Sequence, residues 1–350
     1  MHSEHTREQE PRRQPKRQRR SWRVRLLAVT LAIIMCLLSV PLFVAGTLLG
    51  RLSRPEGGVI EIVEPPEGAV DPNVSAPPTA DVQIRDDDDD IINILLVGLD
   101  TRNSKSFSGL SDSMMVLTLD RKRGQIRLTS FLRDTFVNIP RSPHPFSHKL
   151  NAAYSTGGIS LLQKTLRERY SLDVSEYIVV NFAGLSAIVN KLGGISMELT
   201  AKESQQIPTL TSFSGGARTV NLDGKQALAY ARIRYIDDDF RRTGRQQNVI
   251  NAIFNKVKTM NVTKLTGLLY EFLPYVQTNI SDTQLLRYAT DTVSTYRSYA
   301  LKTGYHVPQD GNFRYESVPM AGSIPMSVIS ITNWDKAVRA LHDYVFEGKE

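Results

Sequence analysis

A chain of 350 residues with 41% hydrophobic content is long enough for one large domain or two ordinary ones, and too apolar to be disordered throughout. Its one cysteine, Cys36, excludes a disulfide framework, so stability must rest on packing. The net charge of +7 is unevenly laid out: residues 1–25 carry +6, residues 51–90 carry −8, and by difference the remainder from 91 onward holds +9.

The basic tail, 1–25, is followed by residues 26–50, which hold no charge and exceed the roughly 20 residues that cross a bilayer as a helix. The run is longer than the roughly 7 to 15 apolar residues of a signal peptide, and Pro41 is tolerated inside a membrane helix. It is expected to be an uncleaved transmembrane helix, with cleavage after Ala45 or Gly46 as the alternative. Arginine and lysine crowd the flank from Arg7 to Arg25, so the positive-inside bias predicts a cytoplasmic N-terminus. The expected location is the cell membrane, single-pass, with everything after residue 51 extracytoplasmic. A basic exported domain suits anionic lipid or phosphorylated substrate, and export argues against nucleic acid as a partner.

Residues 51–90 contain Pro55, Pro65, Pro66, Pro72, Pro77 and Pro78, several glutamates and the run Asp86 to Asp90. With few large apolar residues this stretch is expected to be an extended tether, and its acid run a solvated one. The folded domain, 91–350, opens with Ile91 to Asp100, an apolar run rich in branched residues that reads as a strand buried on both faces. A second strand, Ser113 to Asp120, and a third, Gln125 to Phe131, flank the turn Arg121-Lys-Arg-Gly124 and predict a hairpin. The start of one hairpin strand and the end of the other share an edge, so Asp112 and Arg133 are expected to be neighbours. If the first strand runs parallel to the third, Asp100 joins them at the edge where α/β sheets place ligands.

Helical patterns come next at about 158–170 and 183–192, the second ended by Gly193-Gly194, with a strand at Tyr177–Asn181 between them. Asp223 is placed to cap a helix through Ala227, Leu228 and Ala231. A strand at Ser327–Ile331 and a helix from Trp334 to Phe346 close the chain. This alternation predicts one α/β domain, an α-β-α arrangement with a central mixed sheet flanked by helices.

Arginines are densest between Tyr230 and Gln247. Arg242, Arg245 and Gln246 fall at i, i+3 and i+4 ahead of the apolar positions Val249, Ile250, Ile253, Phe254 and Val257, so in a helix beginning there all three are expected to share one face at its first turn. Arg232 and Arg234, two apart, share a side only if the chain is extended. Guanidiniums at a helix start make a phosphate clamp. The alternative is a solvated basic face paired with Asp237, Asp238 and Asp239. Asp100 and Asp112 are oxygen ligands of the kind magnesium takes, and with Arg133, Lys149 and the arginine stretch they match phosphoryl transfer from a diphosphate. Taken singly, each residue has a local explanation: Asp100 capping a turn, Asp112 a strand end, Arg133 pairing with Asp134. The histidines after the apolar run, His144, His148, His306 and His342, have no metal-ligand spacing.

Seven segments occur in this order: Asn93-Ile-Leu-Leu-Val-Gly-Leu-Asp100, Ser111-Asp-Ser-Met-Met115, Leu132-Arg-Asp-Thr135, Lys149-Leu-Asn-Ala-Ala-Tyr154, Leu192-Gly-Gly-Ile195, Leu222-Asp-Gly-Lys-Gln-Ala-Leu-Ala-Tyr-Ala-Arg-Ile-Arg234 and Arg242-Thr-Gly-Arg-Gln-Gln247. Together they resemble the LytR-CpsA-Psr family, from about Ile91 to Lys258 and more weakly to Phe346. The resemblance implies a membrane-anchored phosphotransferase that moves a glycopolymer from a polyprenyl-pyrophosphate carrier to a peptidoglycan hydroxyl, leaving a phosphodiester. It implies Mg2+ held by Asp100 and Asp112, and pyrophosphate held by Arg133, Arg232, Arg234, Arg242 and Gln246, with Lys149 a further member. It also implies a lipid tunnel between sheet and helices, for which Val179, Phe182, Leu185 and Ile188 are either walls or ordinary core. One departure stands out: Leu110 occupies a position where the family usually has arginine, so either Arg102 or Arg245 supplies the missing charge or the donor differs. Two other functions fit the same residues, a polyprenyl-pyrophosphate pyrophosphatase and a non-catalytic lipid-binding regulator of envelope assembly. The general base is open among Asp100, Asp134 and Asp239.

Overall fold

The computed structural model describes residues 90–101, 106–234, 239–320 and 323–349. The chain divides into two units at Gly50, and the whole of the described fold belongs to the second, Arg51–Glu350. The expected tail, the transmembrane helix at 26–50 and nearly all of the tether lie outside the described residues, as does Arg102. Among the described residues no helix is long and apolar enough to cross a membrane.

The apolar run at the start of the domain forms β1 (Ile91–Leu99), the strand around which the sheet is built. It pairs antiparallel with β2 (Ser111–Asp120), from Ile91 opposite Asp120 to Gly98 opposite Ser113, with an irregularity at Gly98/Leu99. The turn Arg121 to Gly124 then returns the chain as β3 (Gln125–Phe131), which faces β2 from Asp120–Gln125 to Met114–Phe131. Because both pairings are antiparallel, β1 and β3 point the same way. On the far side of β1 lies β6 (Glu176–Asn181), parallel to it. β9 (Val276–Thr278) adds antiparallel to β6, and β10 (Leu301–Val307) adds parallel to β3. The sheet is thus six-stranded and mixed, in the order β10-β3-β2-β1-β6-β9.

Period-two alternation assigns β1 to two cores. Leu95, Val97 and Leu99 pack against α1 (Asn151–Tyr170) and α8 (Trp334–His342), with Leu162, Leu166, Tyr170, Val338 and Leu341. Ile92, Ile94 and Leu96 face the other way, toward α7 (Asp282–Ser294) and Phe254 of α5 (Asp239–Val257). A further core joins α2 (Phe182–Lys191), α4 (Gly224–Ala231), α5 and α6 (Val262–Phe272) around Val189, Tyr230, Val249 and Leu268. Helices therefore cover both faces, as the alternation of elements predicted.

Several elements carry too little pattern to be read in advance. β4 (Phe136–Ile139) and β5 (Phe146–Lys149) form a short hairpin, and β7 (Ile195–Leu199) pairs with β8 (Arg218–Leu222). α3 (Ala201–Gln206) is a six-residue helix after β7, held by a capping box between Thr200 and Glu203. The closing strand is longer than expected, β12 (Ser323–Ile331), and it pairs with β11 (Phe313–Met320) outside the main sheet. α1 starts at Asn151, earlier than 158, because Gly157 and Gly158 leave helical geometry and join two helical pieces across a kink.

Two local devices position α4, whose far end carries Arg232. Asp223 caps the helix as expected, accepting from Gln226 N–H in a capping box. Gly224 donates its N–H to Asn190 Oδ1 and accepts from Ser186 Oγ, and a Cβ on Gly224 would overlap the Ser186 carbonyl. α4 can approach α2 this closely only because residue 224 has no side chain.

Candidate functional site

A cavity of about 300 Å³ opens between the sheet and helices α2, α4 and α5. Leu96, Ile178 and Val180 supply its floor from β1 and β6, Phe182, Leu185 and Ile188 one wall from α2, and Val249, Ile250 and Ile253 the opposite wall from α5. The polar lining is concentrated in Asp112, Ser113, Asn181, Arg232, Arg234, Arg242 and Gln246. Of the residues considered as tunnel walls, Phe182, Leu185 and Ile188 line this cavity. Val179 does not: it is fully buried in the opposite core with α1 and α8, because alternate residues of β6 point to opposite faces.

The carboxylates and cations meet where the hairpin argument placed them. Arg133, just beyond β3, donates to Asp112 Oδ1 at 2.6 Å, and Arg234 approaches Asp112 Oδ2 at 3.5 Å. Asp100, just beyond β1, is tied to the same edge by its N–H, which donates to the Leu110 carbonyl at 3.3 Å. Its carboxylate lies 3.9 Å from Arg232. The Arg232 guanidinium also sits over the Phe182 ring, 4.6 Å from its centroid, so the aromatic side chain at the start of α2 supports a cation at the rim. Arg232 is the C-cap of α4, and beyond it Ile233 is buried while Arg232 and Arg234 are exposed. Both arginines line the same cavity, but the exit is not extended at its first step: Arg232 has φ −104° and ψ 0°, and Ile233 N–H still bonds the Tyr230 carbonyl.

The phased set at the start of α5 divides. The helix begins at Asp239, before the arginines, and Arg242 and Gln246 line the cavity. Arg245 does not reach the cavity: it is buried, donates to the Ile233 carbonyl at 2.9 Å, and lies 3.7 Å from Glu203. The expectation that Arg245 supplies the charge missing at Leu110 is therefore corrected. On a helix it lies about 60° to one side of Arg242 whereas Gln246 lies about 40° to the other, and only the latter flank faces the cavity. Its role is to brace the segment that carries Arg232 and Arg234. Leu110 itself is half exposed beside Asp100.

Lys149 ends β5 and pairs with Asp134 at 2.8 Å; it is not part of the cavity lining. Asp134 also lies 3.5 Å from Arg133, so Lys149 touches the site through that carboxylate. The side chain of Asp239 lies outside the described residues. Gln247, to which the sequence assigned no role, is buried and makes three hydrogen bonds: it donates to Ser130 Oγ at 2.7 Å and to the Tyr305 carbonyl at 2.9 Å, and accepts from Gly304 N–H. It pins α5 to the β3–β10 pair next to Gln246. Its only sequence signal was adjacency to the arginines.

An apolar cavity with guanidiniums on its rim accepts an amphiphile, the chain inside and an anionic head at the mouth. Among the described residues no cluster of three or more histidine, cysteine or carboxylate side chains is arranged to hold a metal. The pair Asp100 and Asp112 still suits magnesium, which needs only one or two protein carboxylates when phosphates and water complete its shell.

The curated polyisoprenyl-teichoic acid–peptidoglycan teichoic acid transferase TagU of Enterococcus faecalis is 33% identical over 208 residues, 58% of this chain and 66% of that protein. The matched region covers 50% of another curated relative, TagV of Bacillus subtilis, so the chain spans between half and about two thirds of these relatives. Among solved structures, protein gbs0355 from Streptococcus agalactiae superposes with a TM-score of 0.60 at 25% identity, over 73% of this chain and 87% of that one. B. subtilis TagV gives 0.58 at 25% identity, over 74% and 98%. Residues 67–307 match the model of the LytR_cpsA_psr family, and over so much of its length the chain belongs to that family.

Proposed function

We propose that this protein transfers a glycopolymer from a polyprenyl-pyrophosphate carrier to a hydroxyl of peptidoglycan, forming a phosphodiester and releasing polyprenyl phosphate. The observation that carries the reading is the union of an apolar cavity with a rim of Arg232, Arg234, Arg242 and Gln246 beside the Asp112–Arg133 pair. The names of the relatives, teichoic acid transferases acting on peptidoglycan, support the same class. Residues 26–50 would anchor the chain in the cell membrane with the domain outside, close to a carrier that lives in the bilayer.

In this reading the polyprenyl chain occupies the cavity and the two phosphates lie at its mouth. The acceptor oxygen attacks the phosphorus that bears the glycopolymer, and the bond to the lipid phosphate breaks. Negative charge grows on the bridging and outer oxygens as it does so. Arg133, fixed by Asp112, and Arg232, supported by Phe182, are held in place before the reaction and need no reorganisation to meet that charge. Gln246 adds a neutral donor. Asp100 and Asp112 would hold Mg2+, which supplies further neutralisation of the diphosphate when bound. The acceptor proton needs a carboxylate. Asp100 is better exposed for this than Asp134, which Lys149 and Arg133 already engage, but holding Mg2+ would lower the basicity of Asp100, which keeps Asp134 and Asp239 as rivals.

The test uses full-length protein in detergent with a synthetic polyprenyl-pyrophosphate saccharide and peptidoglycan. The expected result is saccharide bound covalently to peptidoglycan with one polyprenyl phosphate released per transfer. Release of phosphate products at the same rate without acceptor would instead identify a pyrophosphatase. Lipid binding without turnover, in protein whose Asp100→Asn and Asp112→Asn variants still function in cells, would identify a regulator.

A further inference from the structure

Helix α5 has a second concave face. Away from the apolar cavity, a groove of about 520 Å³ is lined by Asn248, Asn251 and Asn255 of α5, by Glu198 of β7 and by Glu203 of α3. The three asparagines fall at i, i+3 and i+7, so they form one row along roughly 10 Å of helix, about two turns. Asn255 donates to Asn251 Oδ1 at 3.2 Å, and Asn248 donates to Tyr230 Oη at 3.2 Å. Those bonds fix the row and still leave amide donor and acceptor capacity facing the groove, since each amide has two donors and an acceptor. Glu198 is exposed on the opposite wall.

Asn248 has a folding role as partner of the hydroxyl of the buried Tyr230, whereas the bond of Asn251 and Asn255 is to each other. Asparagine is a poor helix former, and a solvent-facing strip of α5 would be better served by lysine or glutamate. Among the described residues lining the groove there is no lysine or arginine, and two are carboxylates, which opposes nucleic acid and other polyanions. The lining is also too polar for a lipid. Paired donors and acceptors in a shallow row match vicinal hydroxyls and amide substituents, with Glu198 able to accept from two neighbouring hydroxyls.

We propose that this groove is a subsite for a neutral, hydroxyl-rich sugar chain. Resting on the transfer reading, that chain is the glycan strand of the acceptor rather than the sugar of an anionic donor polymer. The groove and the reaction site share α5, and they are linked through Arg245, which faces Glu203 on one side and holds the Ile233 carbonyl between Arg232 and Arg234 on the other.

The test is calorimetric titration of the full-length protein with a β-1,4-linked N-acetylglucosamine tetramer, in parallel with a glycerol-phosphate oligomer. The tetramer is expected to bind saturably and the oligomer not. The double variant Asn251→Ala, Asn255→Ala is expected to weaken tetramer binding about tenfold, and Glu198→Ala severalfold, with each lost hydrogen bond counting modestly. Asp112→Asn is expected to leave it unchanged. Absence of saturable binding, undiminished binding by both groove variants, preference for the anionic oligomer, or equal competition by a peptidoglycan stem peptide overturns the proposal. If the double variant unfolds, the exposed Glu198→Ala decides alone. Tetramer binding that persists in a protein without transfer activity would sink the transfer reading and leave the groove standing.

Discussion

Arg133 donates a 2.6 Å hydrogen bond to Asp112 across the end of the β2–β3 hairpin. Neither side chain is free to wander, because Asp112 also faces Arg234 and Arg133 also faces Asp134. A guanidinium held this way is already oriented for a phosphate oxygen. Arg133→Ala is expected to lower the transfer rate by about 10²- to 10³-fold. Arg133→Lys should recover little of it, since an ammonium lacks the planar fork. Single-turnover rates at saturating donor measure this directly, and a fall confined to KM would show that Arg133 merely binds.

Filling the cavity separates lipid binding from folding. Ile250 lines the wall on α5 and is only partly buried, so Ile250→Trp has space to enter without displacing the core. The variant should keep its thermal unfolding midpoint within a few degrees, a change of about 1 kcal/mol or less. Polyprenyl lipid extracted from the purified protein and quantified by mass spectrometry should fall at least about tenfold, as one large apolar contact area is lost.

Gln247→Leu removes three hydrogen bonds and leaves the buried Ser130 Oγ and the Tyr305 carbonyl to find new partners, while the N–H of the exposed Gly304 can turn to water. A cost of about 2–4 kcal/mol is expected from urea denaturation. Because the same bonds hold α5 beside the site, transfer should fall even at temperatures where the variant is folded.

Acid stability should depend on Asp120. Burial alone would push its carboxyl up, but hydrogen bonds from Arg127 and from Arg123 outweigh that and hold it below the usual range. A depressed folded value means the stabilisation is present above the unfolded value, about pH 4, and is lost as pH falls through the lower, folded value. Asp120→Asn should therefore flatten the loss of stability below about pH 4. It should also cost about 3–5 kcal/mol at neutral pH by stranding the buried Arg127, which otherwise joins Asp120 to the Val345 carbonyl. Denaturation midpoints measured across pH test both parts.

Leu110→Arg restores a cation beside Asp100 at a half-exposed position, so folding should be unaffected. A severalfold gain in transfer is expected, the size of about 1 kcal/mol from a partly exposed charge. An unchanged or lower rate would count against a missing-charge defect.

Much of the site was legible from local rules. Asp112 and Arg133 were placed together by hairpin geometry, Asp223 by its cap, and the Gly193-Gly194 stop by the left-handed backbone that both residues adopt, with φ of 76° and 86°. Less was legible wherever an element is short or its partner distant. β4, β5, β7 and β8 run four or five residues each, too few to show a period. β12 was legible as a strand but not its partner, and it belongs to a separate pair with β11.

By itself the sequence determined that Asp112 and Arg133 meet at the end of the hairpin, because the turn fixes strand direction there; that Asp100 joins them depended on β1 running the same way as β3, which the sheet pairing decided. The sequence likewise determined that α5 presents arginines ahead of an apolar stripe. Only the tertiary structure decided that Arg242 faces the cavity while Arg245 turns to Glu203, that Phe182 and not Val179 borders the apolar space, and that Gln247 fastens α5 to β10. Spacing sets the angle between side chains on one element. Which angle meets a neighbour depends on how the elements pack, and that is settled by contacts between residues far apart in the chain.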